Sequence, residues 1–277
     1  MNSQQLANAF KAACMAELEA LKPGNVHIFA DGHNMTVQDF MASADAVSEV
    51  IALPDLSLGQ RILHSVQATQ NAVKMNTNLG MILLCAPMIH AALQAEADFS
   101  SSLQNVLAST TIHDAEDVFA AIRLANPAGL GASAQHDVNY LADCTLLQAM
   151  QAAASRDLIA QQYNHHFADV LTMGLSSYQD AMKRWQNPAW AATAVHLRFM
   201  ATYCDSHIVR KYNETIAKMV QAEAAAHEAE FLKAYNPKNY QVPLLRFDAA
   251  LKKRGLNPGT SADLTVATLL AAQLTST

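Results

Sequence analysis

Helical periodicity runs through almost the whole chain. Alanine, leucine, methionine and glutamine recur and β-branched alternation is scarce, so helices are expected and strands are not. The spacing predicts a first helix over Ser3 to Leu21, with Leu6, Phe10, Cys14 and Leu18 on one face, ended by Lys22-Pro-Gly24. Thr36 with Asp39 has the form of a capping box and opens a second helix to about Leu53. A third covers Leu58 to about Met75. Polar residues Lys74, Asn76, Thr77 and Asn78 then run directly into an apolar segment, Leu79 to Leu93, which reads as a buried helix. After a break at Asp98 to Ser102, one short helix reaches Ser109 and another opens at Thr111 and continues through Ala125. Further helices are predicted through Asp143, Leu147 and Met150, from Arg156-Asp157, over Val170 to Trp185 and Pro188 to Tyr203, and from Glu214 to about Tyr235. The last runs through Leu264 to Leu270, capped by Thr260 or Ser261. No repeat, low-complexity linker or domain boundary is visible, so the pattern predicts one large all-α, multi-helix domain over residues 1–277 with a polar cavity.

Candidate chemistry lies in the polar clusters between the helices. Lys74, Asn76 and Asn78 sit beside a buried helix whose free N–H groups and positive dipole end suit a phosphate. The plainer reading is a turn in which Asn78 caps that helix, and local residues alone leave the two even. A second cluster, Lys22 to Met35, holds Lys22, Asn25, His27, Asp31, His33 and Asn34. A third, Asn126-Pro-Ala-Gly-Leu-Gly131, has two glycines but not the spacing of a P-loop or dinucleotide fingerprint; His136 and Asp137 follow it. In the fourth, Cys204 to Arg210, His207 and Arg210 would share a helix face while Asp205 points elsewhere. Asp114-Ala-Glu-Asp117 and Asp157 are read as helix starts at least as readily as ligands.

Composition narrows the function. Apolar residues make up 51% of the 277 residues and charged ones 15%, which requires a large buried core. A net charge of −6 without a basic run argues against nucleic acid as a partner. The apolar run to Leu93 is interrupted by Pro87 and His90 and is too short to span a bilayer, so no membrane role is expected. The four cysteines, Cys14, Cys85, Cys144 and Cys204, form no C-x-x-C pair and read as reduced core thiols, consistent with the cytoplasm. Self-association into a homo-oligomer is compatible with the sequence but not specified by it.

Five stretches in order resemble the triphosphoribosyl-dephospho-CoA synthase family: Lys22-Pro-Gly-Asn-Val-His27, Asn76-Thr-Asn-Leu-Gly80 with Leu83-Leu-Cys-Ala-Pro87, Ala121 to Gly131, Asp205-Ser-His-Ile-Val-Arg210, and Pro258-Gly-Thr-Ser-Ala-Asp263. The resemblance implies an all-helical transferase that takes ATP with a divalent cation, Mg2+, joins the ATP ribose to the 2′-hydroxyl of 3′-dephospho-CoA and releases adenine. Related synthases read Asn-Thr-His-Lys-Gly where this chain has Asn76-Thr-Asn-Leu-Gly80, so Leu79 replaces a cation. That departure resembles a branch from methylotrophs and methanogens. It motivates a second reading, ribosyl transfer in making a one-carbon carrier such as tetrahydromethanopterin. A third reading is a non-catalytic nucleotide-binding helical protein.

On the first reading, a carboxylate would stabilise an oxocarbenium-like sugar or deprotonate the acceptor hydroxyl. Asp137, Asp205 and Asp263 are candidates, with His27 or His207 as a proton donor to adenine. Lys22, Asn25, Lys74, Asn76, Asn78, His207, Arg210 and Ser261 are the candidate nucleotide ligands, and Asp205 and Asp263 the candidate metal ligands. Lys22, His27, Asn76, Asn78, Asp137, Asp205, Arg210 and Asp263 are expected to line one cavity, and Asp205→Asn is expected to remove turnover without disturbing the fold.

Overall fold

The computed structural model describes residues 1–94 and 98–275, and every regular element among them is helical. The first seven helices are α1 (Ser3–Glu19), α2 (Val37–Ile51), α3 (Leu58–Val73), α4 (Leu79–Gln94), α5 (Phe99–Ala108), α6 (Ile112–Ala125) and α7 (Leu146–Ala153). The remaining seven are α8 (Leu158–Asn164), α9 (Leu175–Trp185), α10 (Pro188–Thr202), α11 (Ser206–Lys211), α12 (Glu214–Phe231), α13 (Gln241–Lys253) and α14 (Gly259–Leu274). A π-helical turn, Asp169–Gly174, leads directly into α9. No single helix among the described residues is long and apolar enough to cross a membrane.

The apolar run of the sequence becomes the central helix. From Leu79 to Ile89 every residue of α4 is buried, and α1, α3, α5, α8 and α14 pack around it. Pro87 lies inside this helix. It has no N–H to give to the carbonyl four residues back, and the buried Tyr163 hydroxyl donates to that carbonyl, Leu83 O, at 2.6 Å. The bare carbonyls that end α2 are met in a similar way. Arg61, fully buried on α3, donates to Ile51 O at 2.7 Å, Leu53 O at 2.8 Å and Leu56 O at 3.3 Å, so its charge is enclosed by carbonyls at the end of α2 and in the turn that follows it.

Local caps follow the sequence closely. Thr36 with Asp39 and Thr111 with Asp114 form capping boxes, and Asp157 caps α8 by accepting from Ile159 and Ala160 N–H. Asp114 also accepts from Gly59 N–H on α3, which gives that residue a structural use. Three expectations change. Residues 127–145 form no helix, so Asp143 lies in a long loop rather than in α7. The π turn occupies what reads as the start of one long helix. α13 is unannounced because Pro243 falls near its start, a place where proline is tolerated in the first turn.

Neither Thr260 nor Ser261 caps the last helix. α14 begins at Gly259 without a side-chain cap of its own, and both residues fall within its first turn. The acceptor is supplied from another element. Asp205 Oδ1 takes His207 N–H at 3.0 Å and Ile208 N–H at 3.2 Å, capping α11. Asp205 Oδ2 takes both Ser261 N–H and Ser261 Oγ–H at 2.8 Å. One buried carboxylate therefore satisfies the N-termini of two helices. Burial pushes its carboxyl up, opposed by these hydrogen bonds.

Asp205→Ala should therefore leave several buried N–H groups without an acceptor and cost about 3 kcal/mol. Urea unfolding checks this. An unchanged midpoint would mean that the two helix ends find other partners.

Candidate functional site

A cavity of about 660 Å3 opens where α4, α11 and α14 begin, beneath the loop at 126–138 and beside α7 and α8. Its wall brings together Asn25, Asn76, Asn78, Asp137, His207, Arg210 and Asp263, residues drawn from five separated parts of the chain. The turn before α4 is ordered by its own carboxamides. Asn76 Oδ1 accepts Leu79 N–H at 3.1 Å, so Asn76 rather than Asn78 provides the side-chain bond to that helix start. Asn78 Oδ1 accepts from Thr69 Oγ at 2.9 Å.

His207 and Arg210 face the cavity together, as their helical spacing predicts. Burial, then Arg210 and Lys211, pushes the His207 imidazole down to about 4, so it is neutral at pH 7. Arg210 donates from Nε to Ala128 O at 3.0 Å and pairs with Asp157 at 3.2 Å. The glycine loop fits around it. Gly129 has φ +74°, and a side chain there would run into the Arg210 backbone. Asp137 accepts from Ser133 N–H at 2.7 Å and Asn139 N–H at 2.8 Å, and these bonds hold its carboxyl below the usual range. Nearby, His136 and Asp143 pair at 2.6 Å.

Asp263 differs from the other cavity carboxylates. No hydrogen bond or ion pair engages it among the described residues, and it is only half-buried toward the cavity. Burial and then the negative charges of Asp205, Glu17 and Asp157 push its carboxyl well up, with Arg210 acting against them. It lies against the first turn of α4. A side chain at Gly80 would collide with its carboxyl group, so the glycine of Asn76-Thr-Asn-Leu-Gly80 is needed for close approach.

Five candidate residues do not line the cavity. Lys22 is fully enclosed and ion-paired to Glu17, with its ammonium pulled down by burial, so it is not placed to meet a phosphate. His27 is buried 3.4 Å from Asp248, and burial lowers its pKa. A neutral, enclosed imidazole is not placed to donate to adenine. Lys74 is exposed and ends α3 in a left-handed conformation, φ +59°. Asp205 and Ser261 are engaged with each other behind the wall. The expectation that all eight cluster residues share one surface is thus met by Asn76, Asn78, Asp137, Arg210 and Asp263, while Lys22, His27 and Asp205 stand behind it.

The cavity also contains groups the sequence reading did not select. Arg156 and Lys211 add two cations, and Thr260, Asn257 and Asp157 add polar atoms. Lys211 falls four residues after His207, a spacing that could have revealed it. Arg156 carries no local signal, because only the fold brings the end of α7 to this wall.

The donor set suits a hard divalent cation. It is made of carboxylate, carboxamide and hydroxyl oxygens, and Mg2+ commonly takes one or two carboxylates together with substrate phosphates. Asp263, repelled by neighbouring carboxylates and otherwise unengaged, is the group a cation would relieve.

Because the Asp263 pKa is raised in the folded protein, folding is favoured while the carboxyl is protonated and penalised once it ionises. Asp263→Asn should therefore stabilise the ligand-free protein by about 1 kcal/mol at pH 7.5. That gain should shrink as the pH falls toward the unfolded-state value of 3.8, below which the wild-type carboxyl is mostly protonated in both states. Thermal melts of both proteins across pH 4 to 8 measure it. A destabilised variant at pH 7.5 would contradict the electrostatics described.

Comparison with known proteins identifies the family. The chain is similar in fold to a crystal structure from Archaeoglobus fulgidus described as a candidate triphosphoribosyl-dephospho-CoA synthase. The TM-score is 0.63 at 20% identity, covering 87% of this chain and 99% of that one. No curated protein sequence matches. The profile of the CitG family, ATP:dephospho-CoA triphosphoribosyl transferase, matches residues 3–277. With that match over nearly its whole length, the chain belongs to the ATP:dephospho-CoA triphosphoribosyl transferase family.

Proposed function

We propose that this cavity is where the triphosphoribosyl group of ATP is transferred to dephospho-CoA, with Asp263 as the central acidic group. Family membership makes the protein a transferase using ATP and a CoA-derived acceptor, and it favours neither the one-carbon-carrier reading nor a purely nucleotide-binding role. The observation that carries the site assignment is the convergence of Asn76–Gly80, His207, Arg210 and Asp263 on one concave surface.

The overall reaction breaks the bond between the ribose anomeric carbon and adenine N9 and forms one from that carbon to the acceptor oxygen. The proton of the acceptor hydroxyl ends on adenine, which leaves as a neutral base. Arg156, Arg210 and Lys211 would meet the triphosphate. Asp137, kept ionised by its backbone hydrogen bonds, would oppose the positive charge that develops on the sugar. His207, neutral at pH 7, can accept a hydrogen bond from the acceptor hydroxyl and take its proton as the new bond forms. Mg2+ would be held by Asp263 together with the nucleotide phosphates, and when bound it supplies neutralisation of triphosphate charge.

Leu79 lines the cavity where related synthases carry a cation, so this wall offers apolar surface instead. Cys14, Cys85, Cys144 and Cys204 are all free, which supports a reducing, cytoplasmic setting.

Purified protein given ATP, Mg2+ and dephospho-CoA should release adenine, measured by chromatography. Absence of free adenine at any acceptor concentration would overturn the assignment. Lys211 is exposed on the cavity rim, so Lys211→Met should leave the melting temperature unchanged and raise KM for ATP by about tenfold, the value of one charge-assisted phosphate contact.

A further inference from the structure

Glu17 on α1 is wholly buried and lines no part of the large cavity, but its hydrogen-bond partner Lys22 bonds in turn to a residue that does. Oε1 accepts from Lys22 Nζ. The same ammonium donates to Asn25 Oδ1 at 3.1 Å, and Asn25 Nδ2 donates to Asn257 Oδ1 at 2.8 Å. Asn25 and Asn257 are both on the cavity wall. Oε2 is fully enclosed and has no hydrogen-bond partner, an unusual state for a buried carboxylate oxygen.

Glu17 also lines a small void of about 10 Å3, together with Asn78, Phe40 and Met81 among others. That is about the space one water needs, provided polar partners are present. Asn78 borders this void and the large cavity alike. Its Oδ1 is taken by Thr69, which leaves its amide NH2 to donate.

We infer that Glu17 is a positioning residue: through Lys22 it orients the carboxamides of Asn25 and Asn257, and through one water bound in the small void it orients Asn78. The three carboxamides are neutral and offer both donors and acceptors. They match the edge of a purine and the hydroxyls of a ribose rather than phosphate charge. The nucleoside half of the donor is thereby assigned to the wall that Glu17 governs, an assignment that rests on the nucleotide reading above.

Stability is a poor explanation for this buried pair. Removing two ions from water is costly, and an apolar pair of similar volume is often as stable or more so. Glu17→Met/Lys22→Met together therefore separates the two roles. The double variant should melt within a few degrees of wild type. Its affinity for adenosine should fall by about tenfold, the value of one or two lost hydrogen bonds. KM for ATP should rise in parallel, while affinity for inorganic tripolyphosphate stays within about twofold.

Calorimetry with adenosine and with tripolyphosphate reads this without turnover. Wild-type protein that binds adenosine but releases no adenine would count against the proposed reaction and leave the positioning role standing. A folded double variant with wild-type adenosine affinity, or one that loses both ligands equally, overturns the inference. Should the double variant fail to fold, Glu17→Gln gives the same two readouts, with the loss again expected for adenosine alone. A high-resolution crystal structure should show the water within hydrogen-bond reach of Glu17 Oε2 and the Asn78 amide. Its absence overturns the link to Asn78.

Discussion

The site depends on one carboxylate that never reaches it. Asp205 closes the N-terminus of α11 with Oδ1 and the first turn of α14 with Oδ2. α11 is six residues long and could not hold its place by its own hydrogen bonds. Tied to α14, it presents His207 and Arg210 beside Thr260 and Asp263. Ser206 and Thr260 hydroxyls, 3.0 Å apart, reinforce the same junction. The glycine loop at 126–131 then closes over Arg210, so residues about eighty positions apart in sequence share one surface.

Around this junction the molecule places its charged groups in two layers. The inner layer is paired and enclosed: Lys22 with Glu17, His27 beside Asp248, Asp205 with Ser261. The outer layer faces the cavity and holds Arg156, Arg210, Lys211, Asp137 and Asp263. Asp263 is the group whose environment is least favourable without a ligand, since burial and three other carboxylates oppose its ionisation. Such sites commonly trade stability for function. Gly80 belongs to the same compromise. Glycine weakens a helix relative to alanine by about 1 kcal/mol, but any side chain there would strike the Asp263 carboxyl.

Much of the fold was legible in the sequence because helices announce themselves locally. Capping boxes at Thr36 and Thr111 need only residues three apart, and Asp157 caps the helix it directly precedes. The apolar run from Leu79 had to be enclosed wherever the chain went. The polar clusters were equally visible, and their order along the chain carried the family resemblance that the full-length profile match supports.

The sequence by itself determined where most of the helices lie, which stretches hold polar chemistry and which family the chain joins. Only the tertiary structure decided which side of each cluster meets solvent. Lys22 and Glu17 are five residues apart, and nothing in that spacing says whether the ammonium turns inward to a carboxylate or outward to a phosphate. Asp205 reads as a ligand because its second helix, α14, starts more than fifty residues later. Arg156 joins the site because the turn after α7 reaches the same cavity wall as α11, a placement that periodicity cannot encode. The physical reason is common to all three. Hydrogen-bonding and desolvation depend on neighbours brought from afar, whereas helix formation and capping are settled within a turn or two of the chain.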